Sequence, residues 1–191
     1  AKILKTNFYN YDFISESNKI NNMFDLIVGN PPYVEYAKYP LKEKLVNDYG
    51  NIYADVIRNS IDLLSDKGVL GYIIPLSYTA TARMSKIRDY VKENTRKQFI
   101  LNFADRPDCL FDGVHQKLNI LISQKGNTKN RIYTSNYKHW YNEERKQLLN
   151  GREVRLSKYS FEQFIPKIGN DIEESIFDLS LIHISEPTRL G

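Results

Sequence analysis

The sequence predicts an α/β domain with a doubly wound sheet whose last strand runs antiparallel. Two observations lead there. Short apolar runs of strand length alternate along the chain with stretches of helical periodicity. One of those runs ends in Gly29 and two prolines, as at a buried parallel strand whose C-terminal end opens into a loop.

Phe24 to Gly29 (FDLIVG) is that strand. From Tyr53 onward Ile57, Ile61 and Leu64 recur at helical spacing, and Ser65 to Gly68 supplies a stop signal with Gly just past the end. Val69 to Pro75 (VLGYIIP) reads as the next strand. Arg83 to Asn94 sets Met84, Ile87 and Val91 on one helical face, with Lys86, Arg88, Asp89 and Lys92 elsewhere, which makes a covering helix. Gln98 to Phe103 and Lys117 to Ser123 follow as strands, joined by the loop from Ala104 to Gln116. After Lys125 the cluster GNTKN favours a turn and marks a boundary. Residues 1–125 are therefore expected to form one domain and 126–178 the start of an attached region. Tyr137 to Tyr141 and the charged run Asn142 to Lys146 read equally as the start of that region or as a helix packed across the sheet edge.

A chain of 191 residues sustains one full-sized core with an appendage. A net charge of +4 suits a polyanionic partner without demanding one. The 14 tyrosines and 9 phenylalanines serve base stacking as well as core packing. A single cysteine, Cys109, excludes an internal disulfide framework and a multi-cysteine metal site, and no metal is expected. No apolar run approaches the ~18 to 20 residues of a membrane span, and the N-terminal stretch lacks a signal-peptide layout. A soluble, cytoplasmic protein without membrane contact is expected.

The chemistry is concentrated in Asn30-Pro31-Pro32-Tyr33. In open α/β sheets ligands sit outside the carboxyl ends of the strands, where this segment falls. Consecutive prolines lack N–H donors and hold the backbone extended, so the Pro31 carbonyl is presented as a rigid acceptor. An exocyclic amine such as adenine N6 is a poor nucleophile because its lone pair is delocalised into the ring. Two acceptors, the Asn30 side-chain oxygen and a backbone carbonyl, each take one N–H and draw the nitrogen toward sp³ geometry. Tyr33 offers an aromatic face for the flat base.

The string Phe24 to Val34 resembles the amino-methyltransferase motif over eleven consecutive residues. Tyr53-Ala54-Asp55 and Leu63 to Pro75 are similar to the segment that follows NPPY in the N6-adenine DNA methyltransferases of restriction-modification systems. Cys109 to Ile122 is similar to a late motif of that family in which an aromatic contacts the flipped adenine, and Phe111 is the matching position. The resemblance implies a Rossmann-like, S-adenosylmethionine-dependent methyltransferase fold. It further implies S-adenosyl-L-methionine as cofactor, double-stranded DNA with a flipped adenine as substrate, and a restriction or specificity partner. Asn30, Pro31, Pro32 and Tyr33 would be catalytic, Tyr33 and Phe111 would bind the base, and Asn30 and Pro31 would also face the cofactor.

Family members carry an acidic-aromatic element before the NPPY strand that contacts the cofactor adenosine. Asn7 and Phe8 occupy the expected place with Asn for the usual Asp, whereas Asp12 and Phe13 retain the acid closer to Phe24. The first pair is narrowly favoured and the second stays open. The Gly-rich loop that cradles the methionine part of the cofactor has no counterpart, since no G-x-G occurs. Residues 1–191 are therefore expected to be a fragment that binds cofactor poorly and is itself inactive. The stretch 179–191 resembles the translation of a sequencing adapter and is expected to be foreign to the protein.

Glutamine and ribosomal RNA methyltransferases resemble the same motif, so NPPY alone does not separate protein from nucleic-acid substrates. The residues from Arg131 to Ile172 extend beyond a minimal catalytic domain, as a target-recognition region would. Cytosine C5 chemistry needs a Pro-Cys nucleophile, and Cys109 follows Asp108. A non-catalytic nucleic-acid-binding remnant is the alternative of a different class.

Overall fold

The computed structural model describes residues 10–159 and 161–185, without the side chains of 183–185. Its secondary structure runs α1 (Phe13–Glu16), β1 (Phe24–Gly29), α2 (Ile52–Asp62), β2 (Leu64–Pro75), α3 (Ser77–Ala80), α4 (Ser85–Asn94), β3 (Thr95–Phe103), β4 (Leu118–Lys125), β5 (Arg131–Lys138), β6 (Arg155–Leu156) and α5 (Asp171–Ser185). The six strands form one mixed sheet in the order β1-β2-β4-β3-β5-β6. β1 is parallel to β2 and β3 to β5, while β4 runs antiparallel to both neighbours. The predicted antiparallel strand is thus in place, inserted between β2 and β3.

Alternation along the strands divides the core between the two faces. Leu70, Tyr72 and Ile74 of β2, Ile100 of β3 and Leu121 of β4 pack against Ile57 and Ile61 of α2 and Ile87 and Val91 of α4. Phe103, with its face-mate Leu101, points the other way and meets Trp140 and Leu148 from the chain after β5. The boundary expected between residues 125 and 126 falls in the β4–β5 turn, and the strand that follows joins the same sheet. Tyr137 lies in β5, and Trp140 is fully buried against β3.

Three local expectations are corrected. β1 was expected to be buried, yet Leu26 and Val28 are 61% and 69% exposed. Among the described residues β1 has a neighbour on one edge only, and only Ile27 reaches the core. Second, α2 ends at Asp62, and Ser65 to Gly68 lies inside β2 as an irregularity opposite Phe24 and Leu26. The left-handed residue there is Lys67 (φ 64°). Gly68 is needed for space instead, since a Cβ would lie 2.8 Å from the Phe24 carbonyl oxygen. Third, Arg88 is buried. Its guanidinium donates to the carbonyls of Tyr78, Thr81 and Glu162, pinning the segment after β6 to the α3–α4 region.

α5 continues through Leu179 to Ser185 within the stretch expected to be foreign, and residues 186–191 lie outside the described residues. Among the described residues no helix is long and apolar enough to cross a membrane, and no group of acidic, His or Cys side chains is arranged to hold a metal.

Candidate active site

The C-terminal ends of β1, β2 and β3 and the N-terminal end of β4 share one rim of the sheet. Asn30 leaves β1 at this rim, and the segment to Tyr33 stands between two cavities. One, of about 470 Å³, is walled by Asn30, Pro31 and Pro32 together with Phe13, Ile27 and Val56. The other, of about 750 Å³, is bounded by Tyr33 and by polar and charged side chains including Ser77, Thr81, Asp105, His115 and Lys117.

Tyr33 links strand and loop. Its single O–H faces two acceptors, donating to Asn30 Oδ1 at 2.5 Å with the Ile73 carbonyl at 3.0 Å. Its ring meets that of Tyr53 edge-on, with centroids 6.4 Å apart. Tyr53 is fully buried and held in turn by Ser77 Oγ at 2.8 Å. Burial pushes the Tyr33 phenol up to about 12, so it stays a neutral donor at any physiological pH. Asn30 is exposed and Pro31 buried. Among the described residues the Pro31 carbonyl has no hydrogen-bond partner and stands free as an acceptor.

The apolar cavity is closed by α1. Asp12 caps that helix, accepting from the Ile14 N–H at 3.0 Å, and Tyr39 donates to both carboxylate oxygens at 2.7 and 2.9 Å. Partial burial raises the Asp12 pKa, but the hydrogen bonds from Tyr39 and Ile14 outweigh it and hold the carboxyl below its ordinary value. Asn59 of α2 donates to the Phe13 and Ile14 carbonyls at 3.0 Å each, fixing the Phe13 ring over the cavity. Asp12 and Phe13 therefore both line the wall that Pro31 and Pro32 share. Asn7 and Phe8, the favoured pair, lie outside the described residues.

The polar cavity rests on a buried ladder that sequence reading did not single out. Thr79 Oγ1 donates to Asn119 Oδ1 (3.2 Å), Asn119 Nδ2 to Asn102 Oδ1 (2.7 Å) and Asn102 Nδ2 to the Ser135 carbonyl (2.7 Å). Asn102 and Asn119 interrupt otherwise apolar strands, and that was the available signal. Phe111 belongs to the loop that supplies Asp105, His115 and Lys117 to this cavity. It is half-buried, bridges to Val114 and lines neither cavity.

Comparison with known proteins gives the family. The family model described as Eco57I restriction-modification methylase matches residues 2–109, more than half of the 191-residue chain. The chain belongs to this methylase family. The type II restriction enzyme and methyltransferase RM.Eco57I of Escherichia coli is 28% identical over 173 residues, which is 84% of this chain and 17% of that protein. The type II methyltransferase M.BstVI of Geobacillus stearothermophilus is 31% identical over 87 residues, 41% of this chain and 16% of that one. This methylase chain thus spans about a sixth of either relative's length. Among solved structures, the DrdV–DNA complex superposes with a TM-score of 0.57 at 13% identity, covering 72% of this chain and 18% of that one. The type I restriction enzyme EcoKI M protein gives 0.55 at 14%, covering 73% and 32%. These likenesses show the fold, the Rossmann-like sheet expected from the sequence.

Proposed function

We propose that the protein containing this chain transfers a methyl group from S-adenosylmethionine to adenine N6 in DNA. The observation that carries this reading is the placement of NPPY as the wall between an apolar and a polar cavity. A methyl donor and an acceptor base must approach from opposite sides of one point, and the two acceptors at Asn30 and Pro31 stand at that wall. Membership of a restriction-modification methylase family supports DNA as the substrate.

The residues present fit the cofactor's adenosine. Phe13, Ile27 and Val56 give an apolar slot, and Asp12 Oδ2, engaged by Tyr39 alone, keeps a lone pair. We assign the acidic-aromatic contact to Asp12 and Phe13 on that ground. When bound, S-adenosylmethionine supplies an electrophilic methyl on a sulfonium.

The chain's own part is to aim the amine. Asn30 Oδ1 accepts from Tyr33 through one lone pair and keeps the other for one N–H of the base. The Pro31 carbonyl takes the second N–H, and the nitrogen lone pair is left facing the apolar cavity. The Tyr33 ring, braced by Tyr53, flanks a base that has left its stack, and such stacking returns about 1 to 3 kcal/mol of the extrusion cost. The family-matched ring, Phe111, stays a candidate second contact through movement of its loop. The test is methyl transfer by the full-length protein into duplex DNA, RNA and glutamine-bearing peptide, in which duplex DNA alone is expected to be labelled.

A further inference from the structure

Asp55 lies in the first turn of α2, lines neither cavity and is 2% exposed. A carboxylate so deep is costly unless its oxygens are hydrogen-bonded. Both are engaged, Oδ2 accepting from the Tyr36 hydroxyl at 2.6 Å and Oδ1 from Asn47 Nδ2 at 3.0 Å. The Tyr36 hydroxyl in turn accepts from the Tyr49 N–H at 3.2 Å. Burial pushes the Asp55 carboxyl above its ordinary pKa, and the bonds from Tyr36 and Asn47 work against that rise.

Tyr36, Asn47 and Tyr49 all belong to one loop. Its ends are joined where Glu35 bridges Asn51, where the Tyr36 N–H donates to the Gly50 carbonyl at 3.3 Å and where the Ile52 N–H donates to the Val34 carbonyl at 2.9 Å. Residues 36–50 therefore form a closed loop just downstream of NPPY. Two consecutive residues of this loop face opposite sides of the NPPY wall. Lys38 lines the polar cavity, whereas Tyr39 lines the apolar one and donates to both oxygens of Asp12. The ion pairs that also tie the loop down, Arg83 with Glu35 and Lys86 with Asp48, are exposed on both sides and hold it weakly.

We infer that Asp55 is a positioning residue for both cavities. Through Tyr36 and Asn47 it sets the loop so that Lys38 bounds the space for the acceptor while Tyr39 holds Asp12 at the cofactor wall. One side chain outside the site thus governs the binding of both reactants, and Asn30, tied separately to Tyr33, stays in place. The inference rests on the methyltransferase reading for the identity of the two ligands. Its working part is the pair of hydrogen bonds and not the charge. An amide at position 55 still accepts from Tyr36 and, with the Asn47 amide turned over, donates to the Asn47 oxygen.

The test combines calorimetry with S-adenosylmethionine and steady-state kinetics on duplex DNA, both in the full-length protein. Tyr36→Phe keeps the ring and removes the bond to Asp55. It should raise the cofactor Kd and the KM for DNA together, each about three- to tenfold, the scale of one hydrogen bond, with kcat little changed. Asp55→Asn, which retains both hydrogen bonds, should stay near wild type, and so should Tyr90→Phe, whose hydroxyl bonds Asp62 at the opposite end of α2. A merely structural role would instead shrink the folded fraction, lowering the apparent kcat at unchanged Kd and KM. That outcome overturns the inference, as does a Tyr36→Phe change confined to one ligand, or an Asp55→Asn variant as impaired as Tyr36→Phe. Its failure is separable from that of the methyltransferase reading. Wild-type protein that methylates DNA while Tyr36→Phe leaves both constants unchanged refutes the positioning role alone. Wild-type protein that labels RNA or peptide instead, with Tyr36→Phe still raising the cofactor Kd and the KM for that substrate, refutes the DNA reading alone.

Discussion

Tyr33 carries two roles that its chemistry allows to be separated. In the proposed reaction its ring flanks the base, while its hydroxyl ties Asn30 to the Ile73 carbonyl. Tyr33→Phe keeps the first and removes the second, leaving Asn30 free to rotate. One positioned hydrogen bond is worth about 1 to 1.5 kcal/mol, so kcat in the full-length protein should fall about tenfold with KM for DNA little changed. Steady-state kinetics on duplex DNA checks this, and a change confined to KM would mean the hydroxyl acts on binding instead. NPPY was legible in the sequence because its four residues are adjacent. The Tyr33 to Ile73 bond was not, since forty positions separate its ends.

At the scale of elements, α1 shows where sequence reading loses resolution. Two acidic-aromatic pairs compete at Asn7-Phe8 and Asp12-Phe13, and spacing alone ranked them narrowly. Asn59 and Tyr39 hold Asp12 and Phe13 against the NPPY wall, a tertiary arrangement that spacing does not announce. Phe13→Ala in the full-length protein should raise the Kd for S-adenosylmethionine about five- to a hundredfold, the scale of one aromatic stacking contact. Calorimetry with Phe8→Ala as the comparison checks it, and a loss carried by Phe8 instead would return the contact to the first pair. The polar ladder under the second cavity makes a stability prediction. Asn119→Ala strands Asn102 Oδ1 in the interior, whereas Thr79 Oγ1 keeps the Leu76 carbonyl, at a cost of about 1 to 3 kcal/mol in urea unfolding. A cost near zero would show that water replaces the amide.

The whole molecule is one sheet with a core on each face, and this was only partly legible. The strands up to β4 announced themselves by apolar runs. β5 (RIYTSNYK) did not, because its inward positions are Thr134 and Ser135, buried by hydrogen bonds instead of hydrocarbon. A composition-based boundary at 125/126 therefore passes through a continuous sheet. Trp140, the single tryptophan, is buried in the second core, whereas the helical signal arises mainly from α2, α4 and α5. Tryptophan fluorescence and far-ultraviolet circular dichroism should thus give coincident urea transitions. Fluorescence changing first would mark the region after β4 as a separate unit.

The central claim is that Asn30 and Pro31 aim an adenine amine across the wall between the two cavities. Its most direct test is mass spectrometry of nucleosides from duplex DNA incubated with the full-length protein and S-adenosylmethionine. N6-methyladenine should be the sole methylated product. Asn30→Ala, at an exposed position, should keep the fold and lower the rate by about 3 kcal/mol of transition-state stabilisation, more than a hundredfold, with Asn30→Asp milder because a carboxylate still accepts. A methylated cytosine, or N6-methyladenine formed by Asn30→Ala at the wild-type rate, would contradict the account.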